Sequence, residues 1–109
     1  KKEVDEEEEF EIFNAVNPND TGGNEYFKIA GLEKYPDNDV TIFNRWGIEV
    51  FQTKGYDTNG NVFNGISKGR VTVRKNKELP EGTYFYVIRR TDPNTAERLT
   101  DTGYLYLIR

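Results

Sequence analysis

The chain has 109 residues, one domain's worth, with 31% charged and 35% hydrophobic residues and a net charge of −4. It contains no His, Cys or Met. That excludes cysteine nucleophiles, serine–histidine relays, zinc sites built on thiolate or imidazole, haem ligation and disulfide staples. Seven Phe, seven Tyr and one Trp supply the large buried areas that let so polar a chain form a core.

Residues 1–9 hold six acids and two bases, leaving 13 of each sign in residues 10–109. The balanced remainder has no basic stripe to neutralise phosphates, so nucleic acid is not an expected partner. The run Glu6–Glu9 reads as a solvated acidic linker from an upstream region, because clustered acids repel and hydrate. No apolar run is long enough to span a bilayer, so no membrane insertion is expected. With neither an initiator Met nor a signal peptide, the expectation is a mature product or a part cut from something larger, with any export signal upstream.

From Phe10 onward the apolar pattern has period two. Phe10 to Ala15 form an expected first strand ending near Asn17-Pro18, and a polar loop follows to Asn24. Tyr26–Ile29 reads as a second strand closed by Gly31, and Tyr35-Pro36-Asp37-Asn38 as a turn. Val40–Phe43 and Ile48–Phe51 flank the four-residue turn Asn44-Arg45-Trp46-Gly47, the clearest hairpin in the chain. A Gly/Asn-rich stretch runs from Gly55 to Gly69. Val71–Arg74 is a short expected strand, with Leu79-Pro80-Glu81-Gly82 as the turn leading on. Thr83–Ile88 and Tyr104–Ile108 are the most β-prone runs. With apolar residues on alternating faces, they suit central strands of two packed sheets, covered on both sides. The fold expected is all-β, an immunoglobulin-like antiparallel β-sandwich of about seven strands without the Cys–Trp–Cys hallmark. No internal repeat accounts for the chain.

Four candidate chemical roles arise from these residues. Asn17, Asn19, Asp20 and Asn24, and again Asp57, Asn59 and Asn61, are oxygen-rich loops of a kind that suits calcium, but neither has the closing bidentate Glu of an EF-hand loop. Side chains capping their own turns are the preferred reading, so no metal or other cofactor is assigned. No pair of carboxylates is marked out by its surroundings for acid–base work, so no catalytic residue is assigned and an enzyme is not expected. Tyr84, Tyr86, Tyr104 and Tyr106 could form a binding surface, although aromatics in central strands usually belong to the core. Trp46, at a turn tip, either folds over the sandwich edge or stands exposed as a contact. Asn19-Asp20-Thr21 fits a glycosylation sequon but gains no support from elsewhere in the chain.

Several of these segments resemble one family. Phe13-Asn14-Ala15, Asn17-Pro18-Asn19 and Asn24-Glu25-Tyr26-Phe27 look like its opening. Val40-Thr41-Ile42-Phe43-Asn44-Arg45-Trp46-Gly47, followed by Val50-Phe51, is similar to its central signature. Leu79-Pro80-Glu81-Gly82-Thr83-Tyr84-Phe85-Tyr86 and Gly103-Tyr104-Leu105-Tyr106-Leu107-Ile108-Arg109 resemble its last two strands. The family is the gliding-motility-associated C-terminal domain, the type B sorting domain of the type IX secretion system. The resemblance covers residues 10–109. The chain departs from it in the first loop, which reads Asn19-Asp20-Thr21-Gly22-Gly23 where the family tends to have Gly-Asp-Gly, and at Phe63, where it usually has Trp.

The resemblance implies a non-enzymatic domain at the C-terminus of a large exported protein such as an adhesin in a Gram-negative bacterium. Such a domain folds in the periplasm and is recognised by outer-membrane type IX secretion components for passage to the cell surface or beyond. On that view residues 1–9 are the linker continuous with the upstream cargo, and Arg109 is the natural end. The expected partner-binding residues are the turn Asn44, Arg45, Trp46 and Gly47 and the last strand Gly103, Tyr104, Leu105, Tyr106, Leu107, Ile108 and Arg109. They would act by anchor contacts or by pairing at a sheet edge. Against this, the same residues could be present because the fold requires them. The alternative function is a stand-alone β-sandwich module that grips carbohydrate or a surface protein directly.

Overall fold

A computed structural model describes residues 10–20, 22–67 and 77–109. The acidic linker, the expected Val71–Arg74 strand and Thr21 of the sequon lie outside the described residues. The elements are β1 (Glu11–Phe13), β2 (Ala15–Val16), β3 (Lys28–Ala30), a 3₁₀ turn (Leu32–Lys34), β4 (Asn38–Phe43), β5 (Glu49–Lys54), β6 (Gly82–Thr91) and β7 (Arg98–Leu107). They form a two-stranded sheet β1-β3 and a five-stranded sheet in the order β2-β7-β6-β4-β5. The all-β sandwich is as expected.

Three details differ from the sequence reading. First, the opening strand is two strands that part at Asn14. β1 pairs antiparallel with β3, placing Ile12 opposite Ile29, whereas β2 runs parallel to β7, with Val16 beside Leu107. Asn14 stitches the crossing: its carbonyl accepts the Tyr106 N–H at 2.8 Å and its side-chain amide donates to the Tyr104 carbonyl at 3.2 Å. The sandwich therefore contains one parallel pair. Second, the two β-prone runs, apart from Ile108, lie within strands of ten residues each that pair with one another along their whole length in one sheet, rather than serving two sheets. Their connection is closed by the Asp92 N–H on the Glu97 carbonyl. Third, among the described residues these strands are covered on one side only. The two-stranded sheet, three residues long, packs on the inner face. On the outer face Phe85, Tyr104 and Tyr106 remain exposed.

Between the layers, Val40, Ile42, Phe51, Ile88, Leu105 and Leu107 from the five-stranded sheet meet Phe27, Ile29, Leu32 and Phe63 from the other side. Each such side chain contributes about 1.5–3 kcal/mol when withdrawn from water. A bulge in the β4–β5 hairpin sets Ile42 opposite Phe51 and Phe43 opposite Glu49, so that Val50 is the extra residue and both Val50 and Phe51 are buried. One end of the core is closed by Arg90, whose guanidinium lies 4.0 Å from the Phe10 ring centre and 4.5 Å from that of Tyr35 while its Nε donates to Asp101 at 2.9 Å. Buried Asn38 is satisfied on both sides: its amide donates to the Tyr35 carbonyl and its oxygen accepts the Tyr56 N–H.

Candidate docking face

The Asn44–Gly47 turn is locked by its first residue. The Asn44 side-chain oxygen accepts the N–H groups of Trp46 at 2.9 Å and Ile48 at 3.0 Å. Its backbone N–H donates to the Ile48 carbonyl, and its carbonyl accepts from Gly47. Gly47 sits at φ 82°, a left-handed position that glycine occupies without strain. The indole of Trp46 does not fold back. It is 71% exposed, with the Arg45 guanidinium 4.5 Å above its ring. A bulky apolar ring is thus displayed on a rigid turn, already ordered before anything binds it.

Register brings the last strand to the same end of the sheet. Phe43, the residue before the turn, lies opposite Phe85 on β6, and Phe85 lies opposite Tyr104 on β7. The Phe85 and Tyr104 rings pack at 4.8 Å, and Tyr106 follows opposite Thr83. Phe85, Tyr104 and Tyr106 therefore form an exposed aromatic patch on the uncovered face, and Trp46 stands on the turn at the same end of the sheet, so that the four make up an aromatic end. Farther along that face the surface turns ionic. Asp39 lies 3.5 Å from Arg89 and 3.6 Å from Arg98, and Arg98 also reaches Asp37.

The residues named from the sequence thus divide by position. Arg45, Trp46, Tyr104, Tyr106 and Ile108 face solvent, while Asn44 and Gly47 shape the turn. Leu105 and Leu107 point into the core. Gly103 lies beneath the Tyr86 ring, which a Cβ at that position would overlap. Arg109 is tied inward, donating from Nε to the Leu79 carbonyl at 2.7 Å and from Nη2 to the Gly65 carbonyl at 2.8 Å. Nor is the stretch Tyr104–Ile108 a free edge, because the Tyr106 and Ile108 N–H groups and the Tyr104 carbonyl are taken by Asn14 and Val16. Side-chain contact is what remains to it. Phe85 was not singled out from the sequence, although the alternation that buries Tyr84 puts Phe85 on the opposite face.

Of the four tyrosines, Tyr84 is buried, donating its hydroxyl to the Pro80 carbonyl at 2.7 Å. Tyr86 is half-buried, and Tyr104 and Tyr106 are exposed rather than in the core. Burial pushes the Tyr84 and Tyr86 phenols above their ordinary range. In the Asx-rich loops, Asn17 accepts the Asn19 N–H and Asp20 the Gly22 N–H, while Asn61 accepts from Thr58 and Asn59. Side chains there cap their own turns. Among the described residues no group of three or more Asp or Glu side chains converges as a metal site, and no helix is long and apolar enough to cross a membrane.

Compared with known proteins, residues 10–107 match the family model of the CHU_C type IX secretion signal domain. No curated protein and no solved structure matches the chain.

Proposed function

The chain belongs to the CHU_C type IX secretion signal domain family, and from that premise we propose that its aromatic end is the surface by which the secretion machinery recognises it. As a secretion signal it marks a protein for export, and its partners lie in the secretion apparatus. The finer reading is a C-terminal sorting domain of a larger cargo, such as an adhesin of a Gram-negative bacterium. It folds in the periplasm and docks as a folded unit on outer-membrane type IX components, with no catalytic step of its own.

The observation that carries this reading is that four exposed aromatics, Trp46, Phe85, Tyr104 and Tyr106, stand at one end of the five-stranded sheet. Exposed aromatics on rigid elements are the usual anchors of protein interfaces. A fusion of the domain to a signal-peptide-bearing reporter tests it. Replacing Trp46, Tyr104 and Tyr106 together with Ala is expected to lower export at least tenfold while urea denaturation shows a folded domain. Full export by the folded triple variant would remove this face from recognition. A second reading, a stand-alone carbohydrate-binding module, draws on the exposed Phe85–Tyr104 ring pair as a stacking platform. It requires ligand binding by the isolated domain with no secretion machinery present.

A further inference from the structure

Beside the displayed indole lies a small pocket of about 110 Å³. It is lined by Leu79, Pro80, Thr83 and Tyr84 together with Asn44, Arg45 and Trp46 of the turn. At roughly 30 Å³ per water-sized volume, it holds about four heavy atoms, the bulk of one aliphatic side chain. The lining is chiefly apolar, and the Tyr84 hydroxyl is already spent on the Pro80 carbonyl.

Arg45 supplies the second half of the argument. It is exposed, and among the described residues it has no carboxylate within ion-pair distance, its close contact being the Trp46 ring. The basic side chains Arg89, Arg90 and Arg98 all face acids of this chain instead. A guanidinium left without an acid, stacked on an indole that fixes its plane, has its donors free for a partner's carboxylate.

We propose that the Arg45–Trp46 turn and its adjoining pocket take a partner segment in which an aliphatic side chain stands next to an Asp or Glu: the aliphatic group fills the pocket and the carboxylate meets Arg45. This deepens the docking reading and rests on it for the partner's identity as a secretion component. The pocket itself can be tested without that premise.

The test has two arms. In solution, the single tryptophan makes its indole N–H an unambiguous NMR reporter. Titration with blocked Leu-Asp and Leu-Asn dipeptides should shift that resonance at millimolar concentration, with the Asp form binding at least threefold tighter. The preference should vanish in Arg45→Gln and weaken with added salt. Absence of a shift with either dipeptide, or equal shifts with both, overturns the proposal. In cells, reporter fusions of Arg45→Lys, Arg45→Gln and Arg45→Glu are compared at equal folding. The expected order is near-normal export for Lys, reduced for Gln, and at least tenfold lower for Glu. Export unaffected by Arg45→Glu overturns the carboxylate partner. Retention of the unaltered fusion contradicts the sorting reading instead, and the dipeptide titration then decides the pocket alone.

Discussion

The hydroxyl of Tyr56 donates to the Phe27 carbonyl and accepts the Phe63 N–H at 3.0 Å, while the Phe27 N–H donates to the Phe63 carbonyl. One phenol therefore ties two loops of the inner layer beneath the sheet, with the rings of Phe27 and Phe51 edge-on to it. Tyr56→Phe leaves two buried backbone groups without that partner and is expected to cost about 1–3 kcal/mol. A lower urea midpoint at unchanged slope checks it. The same burial drives the Tyr56 phenol above its ordinary 10.0; the Phe63 N–H pulls it back and Asp57 adds to the rise. The unfolded chain then gives up these protons near pH 10 while the folded chain keeps them. Stability from this source is full below pH 10 and falls as pH rises above it, at a limiting slope of about 1.36 kcal/mol per unit for each such tyrosine. Denaturation at pH 9 and pH 11 should show a smaller loss in Tyr56→Phe than in the unaltered chain; equal losses would contradict the assignment.

At the scale of elements, the β4–β5 hairpin was legible because everything that makes it is local: alternating apolar residues, an Asn able to accept from its own turn, and a Gly at positive φ. Asn44→Ala removes the acceptor of the Trp46 and Ile48 N–H groups and should cost about 1 kcal/mol. Trp46→Ala should stay within about 0.5 kcal/mol, since the ring is mostly in water already. Thermal unfolding of the two variants separates a residue that builds the turn from one that the turn displays. The parting of β1 from β2 was not legible. A period-two pattern states which residues share a face, not which sheet a strand joins, and the choice at Asn14 depends on Tyr104, 90 residues away. The outer halves of β6 and β7 were missed for a related reason. Arg89-Arg90-Thr91 and Arg98-Leu99-Thr100-Asp101-Thr102 show no apolar alternation, and their pairing is supported by Arg90 on Asp101 and Arg98 on Thr91.

As a whole molecule the fold is lopsided, with a five-stranded sheet packed on one of only two strands, leaving a face uncovered among the described residues. The aromatic end of the sheet was half legible. Trp46 and the last strand could be named from sequence, but only the register Phe43–Phe85–Tyr104 shows that they lie at the same end and that Phe85 joins the exposed rings of the last strand. Composition treats Leu105 and Tyr106 alike as strand formers; packing sends one inward and one out. For that reason deleting residues 103–109 cannot separate recognition from folding, because it strips Leu105 and Leu107 from the core. The most direct measurement fuses residues 1–109 to a fluorescent reporter bearing a signal peptide, in a bacterium with type IX secretion. Beside it run the reporter alone and a fusion whose core is broken by Leu105→Asp. The account predicts reporter outside the cell with the intact domain only. Reporter retained despite a folded domain, or exported equally well with the broken one, would contradict it.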